Sequence, residues 1–178
     1  MEAERLIEAG RRALAASRGA PAVMAEAWQA QALARTVGGQ LVRSGPAELR
    51  TDARGLSEIG GRGAAVLDHP MVPAGAARAA QLSEVADVPR TLGALGLLLG
   101  DVGIALVGVA CDTEEDGLYW QCIEAIDAVD ESIDRVYGML RRLAEQEQEL
   151  EREQEQGRER DGPYGVIRGP AGFVAGQP

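Results

Sequence analysis

The run Leu92 to Cys111, LGALGLLLGDVGIALVGVAC, is too apolar to lie free in water, so it either spans a bilayer or is covered by other segments of the chain. A span needs about 20 apolar residues, a length the run meets, and Gly96 with Gly100 supplies the small-xxx-small spacing of packed membrane helices. Asp101 weighs against insertion. A central Asp costs roughly 2.5 to 3.5 kcal/mol, which cancels about six Leu or Val contributions of roughly 0.5 kcal/mol each, and glycines add no apolar surface. Interfacial aromatics are missing on the amino-terminal side, where Pro89 and Arg90 stand, although Tyr119 and Trp120 lie beyond the other end. A single-span membrane protein through 92–111 is therefore an alternative, and a buried helix is the main expectation.

Burial also has a positive argument. Leu92, Leu95, Leu99, Val102, Leu106 and Val109 alternate three- and four-residue steps, the seam of a helix packed on helices. Gly93, Gly96, Gly100 and Gly103 form a second stripe that admits a close neighbour, while Leu97, Leu98 and Ile104 make the remaining surface apolar as well. A helix apolar all round belongs in a core. Each interior glycine costs roughly 0.5 to 1 kcal/mol against Ala, so the stripe requires a packing gain. Asp101 then needs a cation beside it.

That cation has to be arginine, because the chain contains no Lys. Asn is absent too, while Ala, Gly and Arg abound, the mark of a GC-rich genome. The net charge of −10 argues against nucleic acid or an anionic membrane surface as a partner. The amino terminus, MEAERLIEAGRRALAAS, mixes charges and has no continuous apolar h-region, which predicts a cytoplasmic location.

Around the central run the periodicity is helical throughout, with no sustained β-branched alternation. A first helix carries Leu6, Ile7, Gly10 and Leu14 and ends near Ser17 to Ala20. A second starts at Pro21 and places Val23, Ala27, Ala30, Ala34, Val37 and Leu41 on one stripe, with Trp28 beside it. A third starts at Ala47 and stops at Asp68, His69 and Pro70, with Leu49, Ala53, Leu56, Gly60, Ala64 and Leu67 on its face. Ala76, Ala79, Leu82, Val85 and Val88 continue at helical spacing after a loop, and Pro89 breaks or kinks the chain before the central run. The last helix has a stripe of Tyr119, Cys122, Ile123, Ile126, Val129, Ile133, Val136, Leu140 and Leu143.

The expected fold is all-α, an antiparallel helical bundle of about five helices with a central Gly-rich apolar helix and a long C-terminal helix. The bundle covers 1–156, its last helix extending beyond the core after about 144, and 157–178 forms a disordered Gly/Pro-rich tail. Tyr164, Ile167 and Phe173 are apolar residues in that tail and are candidates for docking on a partner.

Candidate chemistry is sparse. His69 is the sole histidine, so no ordinary zinc site and no Glu-x-x-His di-iron motif can be assembled, and Ser57, in LSEIG, does not lie in a Gly-x-Ser-x-Gly elbow; no catalytic residue, cofactor or metal is assigned. Cys111 and Cys122 flank a turn and read as two core cysteines that would stand at similar heights in a hairpin. Glu124, Asp127, Glu131 and Asp134 fall on one helical stripe with Asp130 at its edge, a solvated face that does not wrap an ion. GGRG from Gly60 to Gly63 lacks the Lys-Ser/Thr ending of a P-loop and reads as helix-packing glycine. Trp28, Asp101 and Trp120 are the candidates for a polar core or a pocket, with Arg35 nearby.

The runs AERLIEAGRRALA, AEAWQAQALA, ARGLSEIGGRGAAVLDHP and VGIALVGVACDTEEDGLYWQCIEAIDAVDES resemble an uncharacterised family of helical actinobacterial proteins. The resemblance covers Met1 to about Leu143 and implies no activity. The expected role is non-enzymatic: protein–protein interaction or assembly, with an unknown protein partner or by self-association. The alternative from a different class is a small-molecule-binding bundle or enzyme with an interhelical pocket.

Overall fold

Local chemistry fixes several helix boundaries in the computed structural model, which describes residues 1–67 and 77–160. Among these residues are five α-helices and no named strand: α1 (Ala3–Ala16), α2 (Ala20–Ser44), α3 (Arg50–Val66), α4 (Val88–Asp112) and α5 (Asp116–Arg160). The fold is the all-α bundle that the periodicities predict. Gly19 turns the chain from α1 into α2 at φ 76°, a conformation that suits glycine, and Pro21 follows in the first turn of α2. Pro89 does not interrupt the chain as expected; it sits in the first turn of α4, where it has no intrahelical N–H bond to lose. Asp87 caps that turn by accepting from the Arg90 backbone N–H at 3.0 Å.

The segment before α4 departs from its helical spacing. Only Arg78–Gln81 forms a single 3-10 turn, Leu82 is already extended, and Glu84 bridges to Glu2. The backbone is engaged elsewhere: the Ser83 N–H donates to the Met1 carbonyl at 3.1 Å, and the Met1 amino group donates to the Gln81 carbonyl at 2.8 Å and to Ser83 Oγ at 2.9 Å. Arg78 pins the segment to α2 through a two-pronged ion pair with Glu26, and its backbone N–H donates to Gln29 Oε1 at 2.8 Å.

The chain divides into two units, Met1–Leu143 and Ala144–Pro178. In the first, Gly60 against Gln31 and Gly38 against Ala53 make α2 and α3 antiparallel. Arg62 with Glu131, and Asp52 with Arg142, set α3 antiparallel to α5. Gly96 against Val136 and Gly103 against Val129 do the same for α4 and α5. By contrast Glu4 with Arg90, and Arg11 with Asp101, make α1 and α4 parallel neighbours. In the second unit, residues 144–158 of α5 are nearly all exposed, Leu150 at 57%.

The core forms where the stripes meet. Leu92, Leu95, Leu99, Val102, Leu106 and Val109 of α4 are all buried, as their spacing predicts, against Leu33, Val37 and Leu41 of α2 and Leu6 and Ile7 of α1 within one cluster. The stripe of α5 is rotated from its expected position. Its buried seam is Cys122, Ala125, Val129, Ser132, Val136 and Met139, while Ile126 and Ile133 are only half-buried and Tyr119 is exposed. Small residues on this seam let α5 approach its neighbours, and Ser132 satisfies its hydroxyl by donating to the Ala128 carbonyl at 2.8 Å.

The closest backbone approach lies between α2 and α3. A Cβ on Gly38 would stand 2.6 Å from the Ala53 carbonyl oxygen, and one on Gly60 would stand 2.7 Å from the Arg35 backbone nitrogen. Gly60 and Gly63 are thus packing glycines, the reading favoured over a phosphate loop. Asp52, in the first turn of α3, is buried and ties α3 to α5 by pairing with Arg135 at 3.2 Å and Arg142 at 3.0 Å.

Candidate surface for helix docking

The central helix is not covered all round. Over its most apolar stretch the mean hydropathy is 2.2, yet only 44% of those residues are buried. Leu97, Ile104 and Val107 face outward, Ile104 at 76% exposure. Gly93, Gly100 and Gly108 lie beside them with open space where a Cβ would project. Only part of the glycine stripe serves packing inside the chain: a Cβ on Gly96 would stand 3.4 Å from Val136, and one on Gly103 3.5 Å from Val129, both of α5.

Ile104 forms a ridge between two shallow grooves. One, of about 330 Å³, runs between α4 and α5 and is lined by Gly100, Gly103, Val107, Ile126 and Ile133, with Asp130 at its edge. The other, of about 350 Å³, lies between α1 and α4 and is lined by Leu14, Ala15, Ala105 and the Arg11–Asp101 pair. Asp101 has the arginine partner its position demands, with Arg11 Nε 2.8 Å from Oδ2. That hydrogen bond first, and the carboxylate's charge second, raise the Arg11 guanidinium further above its ordinary value. A ridge flanked by grooves is the relief into which another helix packs.

The other sequence candidates occupy separate environments. Trp28 is half-buried against the core from α2. Trp120, a candidate for core or pocket, faces solvent at 62% exposure with Tyr119 edge-on at 5.4 Å, because Cys122 on the same turn takes the inward position. Arg35 packs along Gly60 and Gly61 of α3. The acidic residues of α5 are exposed as expected, Glu131 pairing with Arg62. Among the described residues no three His, Cys, Asp or Glu side chains converge as metal ligands. His69, Tyr164, Ile167 and Phe173 lie outside the described residues.

The cysteines are not a core pair. Cys122 is buried with its thiol 3.8 Å from Met24 Sδ, whereas Cys111 is exposed near the end of α4. Burial raises the Cys122 thiol above its ordinary range. A thiol reagent will therefore label one cysteine per folded chain whose α4 face is free and two after denaturation, with peptide mapping placing the first label on Cys111. Ionisation is easier in the unfolded chain, so the Cys122 contribution to stability is complete below the ordinary thiol range and is lost as pH rises through the raised value. Denaturant titrations should show a shallower alkaline decline for Cys122→Ala than for the parent; parallel declines would refute the assignment.

A third groove, of about 800 Å³, opens where the start of α2 meets the turn between α4 and α5, and combines Val23, Val109 and Leu118 with Asp112, Glu114 and Glu115. It is wide and acidic at its rim.

The signal that reveals the open face is in the sequence. Gly93, Leu97, Gly100, Ile104, Val107 and Cys111 repeat at four- and three-residue steps opposite the buried leucine seam, so α4 carries two seams, and the described helices cover only the first. No curated protein and no solved structure shows significant similarity to the chain. The profile of one family matches residues 1–142, almost all of the first unit, and the chain belongs to that family, DUF6099, a family of unknown function.

Proposed function

We propose that this protein is a non-enzymatic assembly module that receives an amphipathic helix of a polypeptide partner along the open face of α4, in the cytoplasm of an actinobacterium. The observation that carries this reading is the second apolar seam: three large side chains and three uncovered glycines on one exposed helix face, bordered by grooves on both sides. Monomeric proteins rarely leave a contiguous apolar patch of this kind unless something docks on it. The 3-4 spacing fits a helix as the occupant. The acidity of the chain and its lack of Lys support the location and the source.

A photoreactive side chain in place of Ile104 tests the reading in the source organism, with Arg54, exposed on α3, as the control position. Polypeptide adducts at position 104 and not at 54 are expected. Equal capture at the two positions would end the proposal. The length and hydropathy of α4 favour a second reading, in which lipid covers the same face. Lipid adducts at position 104 would establish it in place of the first.

A further inference from the structure

We infer that the occupant of the α4 face is a second copy of this chain, with the two α4 helices packed antiparallel. The inference rests on the docking reading above and adds the partner's identity, direction and register.

The face is self-complementary in shape. Its large residues, Leu97, Ile104 and Val107, alternate with Gly93 and Gly100, where a Cβ would meet nothing within 4 Å. Antiparallel helices whose seams interdigitate set each position of one kind against a position of the other kind in the partner, and the knobs of one enter the holes of its neighbour. In this register Ile104 enters the space over the partner's Gly100, by symmetry the same happens on the other side, and Leu97 packs beside the partner's Val107. A parallel pair would instead stack Ile104 on its own counterpart and leave glycine facing glycine.

Charge selects the same direction. Arg90 stands at the start of α4, paired with Glu4 of α1 at 3.0 Å yet with its side chain 73% exposed, while Asp112, Glu114, Glu115 and Asp116 gather at the other end. These ends are about 33 Å apart along the helix at a rise of about 1.5 Å per residue. Antiparallel packing brings Arg90 to the partner's Glu114 at both ends of the contact. Parallel packing would join one acidic end to the other, which in a chain of net charge −10 adds to an existing repulsion. Along α4 itself Asp101 is already neutralised by Arg11, and the other carboxylate of the groove, Asp130 of α5, stands at its edge.

The full chain should sediment as a dimer. Ile104→Glu puts a charge on an exposed position and should raise the dimer dissociation constant by about tenfold or more, a loss of the size expected for a central interface residue. Gly100→Phe, which fills open space in the monomer, should do the same, and circular dichroism melts will show that both variants fold. Arg90→Glu should weaken the dimer, and adding Glu114→Arg should restore it. Direction is read by disulfide trapping in a Cys111→Ser background, since a bridge requires Cα atoms within about 7 Å. Leu97→Cys chains and Val107→Cys chains should cross-link only when mixed. Cross-linking of Leu97→Cys with itself would overturn the antiparallel arrangement. A chain that sediments as a monomer throughout would overturn self-association; the docking reading would survive that result if Ile104 captures a different polypeptide, and would fall with it if Ile104 captures none.

Discussion

Gly38→Ala is expected to destabilise the bundle by about 2 kcal/mol, even though alanine is the better helix former. Alanine brings a gain of about 1 kcal/mol in helix propensity. Against this, its methyl group would stand 2.6 Å from the Ala53 carbonyl oxygen and 2.7 Å from the Ser57 backbone nitrogen, atoms that cannot turn aside as a side-chain tip can. Moving α3 away loosens the Val37, Leu41, Ala53 and Leu56 contacts, and overpacking of this kind costs typically 1 to 3 kcal/mol or more. For a chain of this size the melting temperature should fall by about 4 to 8 °C. Gly60→Ala, facing Arg35 N at 2.7 Å, should behave alike. Gly138→Ala is the control, because nothing lies within 4 Å of its Cβ position; it should gain about 0.5 to 1 kcal/mol. Urea unfolding of the three variants checks the contrast, and a Gly38→Ala chain as stable as the parent would show that α2 and α3 are not in backbone contact.

The second large effect has the opposite sign on the same helix pair. Gln31 is completely buried, and among the described residues neither its Oε1 nor its Nε2 has a hydrogen-bond partner. It is held against Gly63, where a Cβ would stand 2.7 Å from its Cδ. A buried donor or acceptor left without a partner costs about 1 to 3 kcal/mol, whereas methionine has a similar length and no such demand. Gln31→Met should therefore raise stability by about 2 kcal/mol and the melting temperature by about 4 to 8 °C. The neighbouring buried amide makes the comparison specific: Gln29 accepts from the Arg78 N–H, so Gln29→Met should destabilise. Thermal melts of the two variants moving in the same direction would refute this account.

Legibility in the sequence followed residue size. The α4 seam was readable because its leucines are large and regularly spaced, and all six positions named for it are buried. The α5 seam was misplaced because periodicity weights Ile126 and Ile133 above Ala125 and Ser132, while packing against α4 rewarded the smaller pair. Close-approach glycines are expected on α4 and at Gly60 to Gly63; the tightest contacts fall at Gly60, as expected, and at Gly38, since a glycine reports permission for contact and not the presence of a neighbour. The segment near Leu82 kept helical spacing yet became extended, because backbone bonds to Met1 were available only in the folded chain.

The sequence by itself determined the helical class, the α4 leucine seam and the need of Asp101 for an arginine, since periodicity and charge are properties of neighbours along one helix. Only the tertiary structure decided that the arginine is Arg11, that α1 runs parallel to α4, and that the second seam of α4 stays open. These depend on which helices meet and how many flanks they cover: α1, α2 and α5 close one side of α4 and leave Ile104 in solvent.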